Sequence, residues 1–122
     1  MKLRLHGNSV RLRLNQAEVA QFSKTGYVEE VIDFGAGASL SYVLESTSNA
    51  EALGAGYRNG QLRIQIPAGV GHDWVTTDRV GVTGEQALAG GKQLSILIEK
   101  DFKCVHRDDP EPDAYPNPLA AR

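Results

Sequence analysis

The residues best suited to chemistry are five basic side chains near the start of the chain. They alternate with apolar residues in the stretch KLRLHGNSVRLRL and are Lys2, Arg4, His6, Arg11 and Arg13. Guanidinium and ammonium groups bind carboxylates and phosphates through charge-assisted hydrogen bonds. No acidic residue occurs before Glu18, so the whole stretch carries positive charge. We therefore predict that these five residues form an anion-binding face.

The acids that would balance this charge are distant in the sequence. The formal net charge is −2, and four acids cluster near the other end of the chain: Asp108, Asp109, Glu111 and Asp113. Three kinds of counter-charge remain open, namely solvent and salt, the chain's own acids, or an external anionic macromolecule. The chain's own acids would be the C-terminal cluster or the Glu29–Glu30 pair.

A second candidate site is a cleft near His72, Cys104 and His106, which would belong to a small ligand-dependent or metal-dependent enzyme. The spacing of Cys104 and His106 fits no standard zinc pattern, and the chain has no second cysteine. Neither a nucleophile elbow nor a phosphate-binding loop is present in the sequence. The sequence therefore favours a non-catalytic binding domain over an enzyme and indicates no metal and no cofactor.

The basic residues lie on a predicted β-hairpin. Gly7-Asn8 suits a two-residue type II′ turn, since glycine accepts the positive φ that the first turn position requires. This turn places His6 opposite Ser9 and Arg4 opposite Arg11. Like charges that oppose each other on a sheet are unfavourable, so a counter-charge is required. The opposite, apolar face of the hairpin is predicted to line the core and consists of Leu3, Leu5, Val10, Leu12 and Leu14.

A short helix follows the hairpin. Asn15 and Glu18 have the spacing of a capping box, and Gly26 is a natural helix stop. We therefore predict a helix over residues 16–24, with Phe22 turned toward the core.

The rest of the chain alternates mainly with the period of β-strands. Gly35-Ala36-Gly37 and Asn59-Gly60 predict two more hairpin turns, and Pro67 suits the first position of a short or irregular helix that carries Trp74. Within the stretch QLSILIEKDF, Ile96, Leu97 and Ile98 are apolar on both faces, which is typical of a central strand. Its acids Glu99 and Asp101 share one face, which we interpret as solvated. No internal repeat of fixed period is evident.

These elements predict an α+β fold with a mainly antiparallel sheet, able to curl into a partial barrel, and one or two short helices. Residues 1–106 are predicted to form one domain. Residues 107–122 contain four of the five prolines and form a predicted proline-rich acidic tail. The sequence leaves the oligomeric state open.

Composition suggests the cellular setting. The single Cys104 cannot form an internal disulfide, and charged residues interrupt every apolar run that would be long enough to span a membrane. We therefore expect a cytoplasmic protein with no membrane partner.

Two resemblances add to these predictions. The stretch GNSVRLRL, followed by a capped helix, resembles the start of the swapped-hairpin family that includes MazE-type antitoxins. That resemblance implies that Lys2, Arg4, Arg11 and Arg13 dock on DNA within a dimer. The combination of KLRLHGNSVRLRL, QLSILIEKDFKC and DDPEPDAYPNP resembles a small family of uncharacterised bacterial proteins. It implies no activity, but it indicates that the basic head, the central strand and the tail belong together.

Overall fold

Two four-stranded β-sheets share one core in the computed structural model, which describes residues 1–102 and 115–118. Sheet A has the strand order β1-β2-β8-β7, and sheet B has the order β3-β4-β6-β5. In chain order the elements are β1 (Lys2–His6), β2 (Ser9–Leu14), α1 (Gln16–Thr25), β3 (Tyr27–Gly35), β4 (Ala38–Thr47), β5 (Gly54–Arg58), β6 (Gln61–Pro67), α2 (Ala68–Thr76), β7 (Gly81–Ala87) and β8 (Gln93–Lys100).

Both sheets are mixed, so the prediction of a mainly antiparallel sheet is wrong. The outer pairs of each sheet are antiparallel hairpins, whereas the central pairs, β2 with β8 and β4 with β6, run parallel. A tight turn joins only antiparallel strands, so local sequence reveals the hairpins but not the parallel partner of each hairpin. The strands also form two separate sheets rather than a partial barrel. The α+β character with two short helices agrees with the prediction.

The first hairpin and its helix confirm the predicted turn, register and caps, but Leu5, which was predicted to line the core, is 64% exposed near the end of β1. All five predicted strand partners of β1 and β2 are present, including Arg4 opposite Arg11, and Gly7 has a φ of 54°. The Asn15–Glu18 capping box is formed, and Gly26 ends α1 in the left-handed conformation. The helix is one residue longer than predicted, because it includes Thr25.

Most of the later local predictions are also confirmed. Asn59 and Gly60 both have positive φ, 53° and 76°, as a type I′ turn requires. Helix α2 is present, but it begins at Ala68, so Pro67 is the N-cap residue and the prediction that it is the first helical residue is wrong by one position. Strand β8 lies between β2 and β7, so the apolar stretch QLSILIEKDF does supply a central strand. Neither α1 nor α2, the α-helices of the described ranges, is long and apolar enough to cross a membrane.

The two halves of the chain repeat one arrangement of hairpin, helix and hairpin. Elements β1 to β4 with α1 form the first half, and β5 to β8 with α2 form the second. In this comparison β1, β2, β3 and β4 correspond to β5, β6, β7 and β8. Replacing each strand of sheet A by its counterpart gives the strand order of sheet B. The registers then equate Arg11 with Arg63, 52 positions later, and Glu45 with Glu99, 54 positions later. Because this offset changes along the chain, the repeat has no fixed period and its sequence signal is weak.

Apolar side chains from both sheets and both helices form the core. Seven large side chains in it have no measurable solvent exposure: Leu12, Leu14, Leu44, Ile64, Ile66, Trp74 and Ile98. Burying a side chain of this size contributes about 1.5–3 kcal/mol. Because these residues alternate with polar ones along the strands, each sheet presents its polar side chains outward.

Side chains also connect the neighbouring edges of the two sheets. On one side, Gln86 of β7 donates a hydrogen bond to the carbonyl of Ala55 on β5 (3.2 Å) and accepts one from its amide (2.6 Å). On the other side, the Tyr42 hydroxyl donates to the carbonyl of Met1 (2.6 Å), and the Met1 amino group donates to Glu30 (2.9 Å) and Glu18. The sheets are therefore joined at their edges without a shared backbone ladder.

Candidate functional site

The five basic residues predicted to bind anions lie on one surface, the outward side of sheet A, which we call face A. Strand pairing arranges its side chains in three rows across β1, β2, β8 and β7. The rows are Lys2, Arg13, Glu99 and Gly81; Arg4, Arg11, Leu97 and Thr83; and His6, Ser9, Ser95 and Glu85. Face A therefore has a basic half, formed by β1 and β2, beside a half that contains two acids.

Two arginines share one carboxylate oxygen near the middle of face A. The Nε atoms of Arg11 and Arg13 lie 3.0 Å and 2.9 Å from Oε1 of Glu99. These three atoms are buried and make no well-aligned hydrogen bond, so their contact is mainly ionic. The side chains are 31%, 24% and 13% exposed, respectively. One carboxylate balances only one of the two guanidinium charges, so this cluster retains one excess positive charge.

The prediction that Glu99 and Asp101 lie on a solvated face is wrong. The sequence suggested a solvated face for Glu99 and Asp101, but the parallel pairing of β2 with β8 places Glu99 directly beside Arg13. Asp101 similarly forms an ion pair with Lys2, with 3.0 Å between Nζ and Oδ2. The available signal was a glutamate directly after Ile96, Leu97 and Ile98, which are apolar on both faces, because a charge beside a buried segment needs a partner.

The Glu29–Glu30 pair, one of the candidate counter-charges, does not contact the arginines of face A. Glu30 contacts the amino group of Met1, and Glu29 accepts a hydrogen bond from Gln61 (3.2 Å) on sheet B. This part of the counter-charge prediction is therefore wrong, because β3 belongs to the other sheet. The acidic cluster of residues 108–113 lies outside the described residues, so its role stays a prediction.

A shallow depression of about 630 Å³ lies on face A. Arg4, His6 and Arg11 line its basic side, and Glu85 lines the opposite side. The Ser95 hydroxyl donates to the Glu85 carboxylate at 2.8 Å and 2.9 Å, which holds that acid on its own side. The depression can therefore receive an anionic group next to the arginines. On the opposite side, the Glu85 carboxylate would repel a ligand whose negative charge extends across the depression.

The alternative cleft is only partly within the described structure. His72 is exposed on α2, whereas Cys104 and His106 lie outside the described residues. Within residues 1–102 and 115–118, no three His, Cys, Asp or Glu side chains are grouped so that they could hold a metal ion. The enzyme hypothesis built on this cleft stays a prediction.

Comparison with known proteins adds a family but no activity. The model of a family described as "Family of unknown function (DUF7009)" matches residues 1–119. No curated protein and no solved structure matches the chain. The match includes the basic hairpin and the central strand β8, which confirms the resemblance to an uncharacterised family. The chain therefore belongs to the DUF7009 family, whose function is unknown.

Proposed function

We propose that the protein is a non-catalytic binding domain and that face A binds acidic peptide segments. The observation that supports this proposal is the uneven charge around Glu99, where two guanidinium groups meet one carboxylate oxygen. A second carboxylate, supplied by a peptide, would balance the remaining charge. Hydrogen bonds between a guanidinium and a carboxylate are among the stronger ones in proteins.

The spacing of the basic residues suits an extended peptide. Arg11 and Arg13 are alternate residues of one strand, so their backbones are about 7 Å apart. Alternate side chains of an extended acidic peptide have the same spacing. Arg4 and His6 lie on the neighbouring strand and share the depression with Arg11, so they are placed to contact a second carboxylate.

The charges of face A favour a peptide over nucleic acid. Glu85, Glu99 and Asp101 lie on or beside the same surface, and they would repel a continuous phosphate backbone. The net charge of −2 also opposes general attraction to nucleic acid. The swapped-hairpin alternative has the further difficulty that β2 already pairs with β8 of its own chain. An acidic peptide presents separate carboxylates that can avoid these acids.

The acidic peptide can have two sources. One is the chain's own cluster of acids at residues 108–113, and the other is a different protein. Both sources offer the same carboxylate chemistry to the same basic residues. An experiment with added peptide must therefore compare the natural chain with one whose own acidic cluster is neutralised.

Binding of a fluorescein-labelled oligoglutamate peptide, followed by fluorescence anisotropy, tests the proposal. We expect the Arg11→Gln variant to bind about tenfold more weakly, as loss of one charge-assisted hydrogen bond predicts. Lys92→Gln, which removes an exposed charge elsewhere, is the matched control. We also expect a thymidine oligonucleotide of equal charge to bind more weakly than the peptide. Equal peptide binding by the Arg11 and Lys92 variants, or stronger binding of the oligonucleotide, would overturn the proposal.

A second arm identifies the source of the peptide. It uses the full chain with four substitutions: Asp108→Asn, Asp109→Asn, Glu111→Gln and Asp113→Asn. If the chain's own acids occupy face A, this variant binds added oligoglutamate more tightly and melts at a lower temperature, most clearly at low salt. If the peptide comes from another protein, neither quantity changes.

A further inference from the structure

We infer a second anion-binding site on the outward side of sheet B, which we call face B. It is the counterpart of the site on face A in the duplicated fold. The strand registers equate Arg63 with Arg11, Ser41 with Ser95, and Glu45 with Glu99. The ligand class, a peptide carboxylate, rests on the proposed function, whereas the site itself rests on its own residues.

A depression of about 680 Å³ marks this second site. Its lining includes Arg58 and Arg63, with the polar side chains of Ser41, Asn59 and Gln61, and contains no acidic residue. Arg58 forms no ion pair or hydrogen bond with any residue in the described ranges. An anion in this depression would therefore meet two guanidinium groups and several neutral hydrogen-bond donors.

Arg63 is held in place for such contact. Its Nη1 group pairs with the Glu45 carboxylate, and its Nη2 group donates to the Gln61 side chain at 2.8 Å. Gln61 in turn donates to the hydroxyl of Ser41 at 3.1 Å and to the carboxylate of Glu29 at 3.2 Å. A guanidinium fixed in this way loses little conformational entropy when it binds a ligand.

Face B carries two arginines, Arg58 and Arg63, and acids that include Glu29 and Glu45. Glu45 pairs with Arg63 and Glu29 accepts a hydrogen bond from Gln61, whereas Arg58 has no ion pair with an acid of the described ranges. In both sheets the basic hairpin (β1 with β2, or β5 with β6) lies beside a hairpin that carries acids. Because the two faces lie on opposite sides of the core, one domain can hold two acidic segments at once.

Gly56 leaves the space that a ligand needs. It lies directly opposite Arg63, at the position that Arg4 occupies on face A. A Cβ atom added to Gly56 would meet no other atom within 4 Å, so the surface beside Arg63 is open. A longer side chain at this position would fill the site without disturbing the core.

Substitution of Gly56 provides the test. Isothermal titration calorimetry with oligoglutamate uses the chain with the four neutralising substitutions at residues 108–113, so that its own acids cannot occupy face A. The variants below are made in this chain, which should bind two peptides. Gly56→Glu places a carboxylate beside Arg63 and should remove one of them, whereas the isosteric Gly56→Gln should retain both if charge is decisive. Arg11→Gln should weaken binding of the other peptide about tenfold. Thermal unfolding of all variants verifies that each remains folded.

Amide chemical shifts in NMR spectra locate the peptide independently. We expect peptide-induced shifts at Arg58 and Arg63 that disappear in Gly56→Glu, and shifts at Arg11 that remain. One peptide per chain, with shifts confined to β1, β2 and β8, would overturn this inference and leave the proposed function intact. The opposite result, with shifts only on β5 and β6 in the chain whose acidic cluster is neutralised, would overturn the proposed function of face A and leave the second site.

Discussion

The rings of Phe22 and Trp74 meet edge to face, with centroids 6.0 Å apart and planes at 64°. Each residue lies seven positions after the N-cap of its helix, Asn15 in α1 and Pro67 in α2. The two aromatic residues are therefore equivalent positions of the repeated half. Their contact lies where the two halves meet, so it joins the helices of the duplicated fold.

This contact predicts a coupled loss of stability. Trp74 has no solvent exposure and Phe22 is 3% exposed, so we expect either alanine substitution to lower the free energy of unfolding by about 3–5 kcal/mol. A double-mutant cycle should give a coupling of about 0.5–1.5 kcal/mol, the usual value for an aromatic pair. Urea denaturation measures both quantities. Phe102→Ala, at a 60% exposed position, should have little effect. Strictly additive losses would show that the pair is not coupled.

Glu99 should be more important for stability than an exposed acid of the same face. Glu99→Gln leaves Arg11 and Arg13 without their shared carboxylate, and we expect a loss of about 1–3 kcal/mol. Adding Arg13→Gln should restore part of that loss, because it removes one of the unbalanced charges. Glu85→Gln is the control, since Glu85 is exposed. Equal denaturation midpoints for the Glu99 and Glu85 variants would contradict this assignment.

Gln86 should stabilise the junction between β5 and β7. Its side chain makes two hydrogen bonds to the backbone of Ala55, at 2.6 Å and 3.2 Å. We expect Gln86→Ala to lower the free energy of unfolding by about 1–3 kcal/mol, because it leaves the half-buried Ala55 amide and carbonyl without these partners. Hydrogen exchange should show faster exchange of the Ala55 amide. In the exposed control Gln93→Ala the exchange of Ala55 should not change.

Tyr42 should make stability depend on pH in the alkaline range. Burial, and to a lesser degree the charge of Glu30, raises the pKa of the Tyr42 hydroxyl. The folded protein favours the neutral hydroxyl, so the neutral Tyr42 side chain contributes to the free energy of unfolding. This contribution is complete below about pH 10, the usual pKa of tyrosine, and is lost as the pH rises through the pKa of the folded state. The melting temperature of the natural chain should thus fall more steeply above about pH 10 than that of Tyr42→Phe. The exposed control Tyr57→Phe should follow the natural chain, and parallel curves for all three would contradict the prediction.

The first hairpin shows what local sequence predicts well. The Gly7-Asn8 turn and the alternation of leucines with arginines specify the pairing of Arg4 with Arg11. A turn of fixed length permits only one register, and moving the strand by one residue would expose the whole apolar face. The Asn15 cap and the Gly26 stop of α1 could also be predicted, because each depends only on residues within one helical turn.

The counter-charge of the arginines shows where local sequence is insufficient. Arg11 and Glu99 lie in different halves of the chain and meet only because β2 pairs in parallel with β8. No turn specifies that pairing, and Glu29 and Glu30 were equally plausible partners by charge alone. The site on face B was missed in the same way, since Arg58 and Arg63 share a depression with Ser41 only after β4 has paired with β6.

The sequence by itself determined the turns of the first three hairpins, the register of β1 with β2 and the caps of α1, because turn geometry and capping act over a few residues. Only the tertiary structure decided which hairpins pair in parallel and how the strands divide into two sheets. It also decided which acid faces which arginine. These choices depend on the burial of one core shared by both halves, and that burial is gained only when residues distant in the chain pack together.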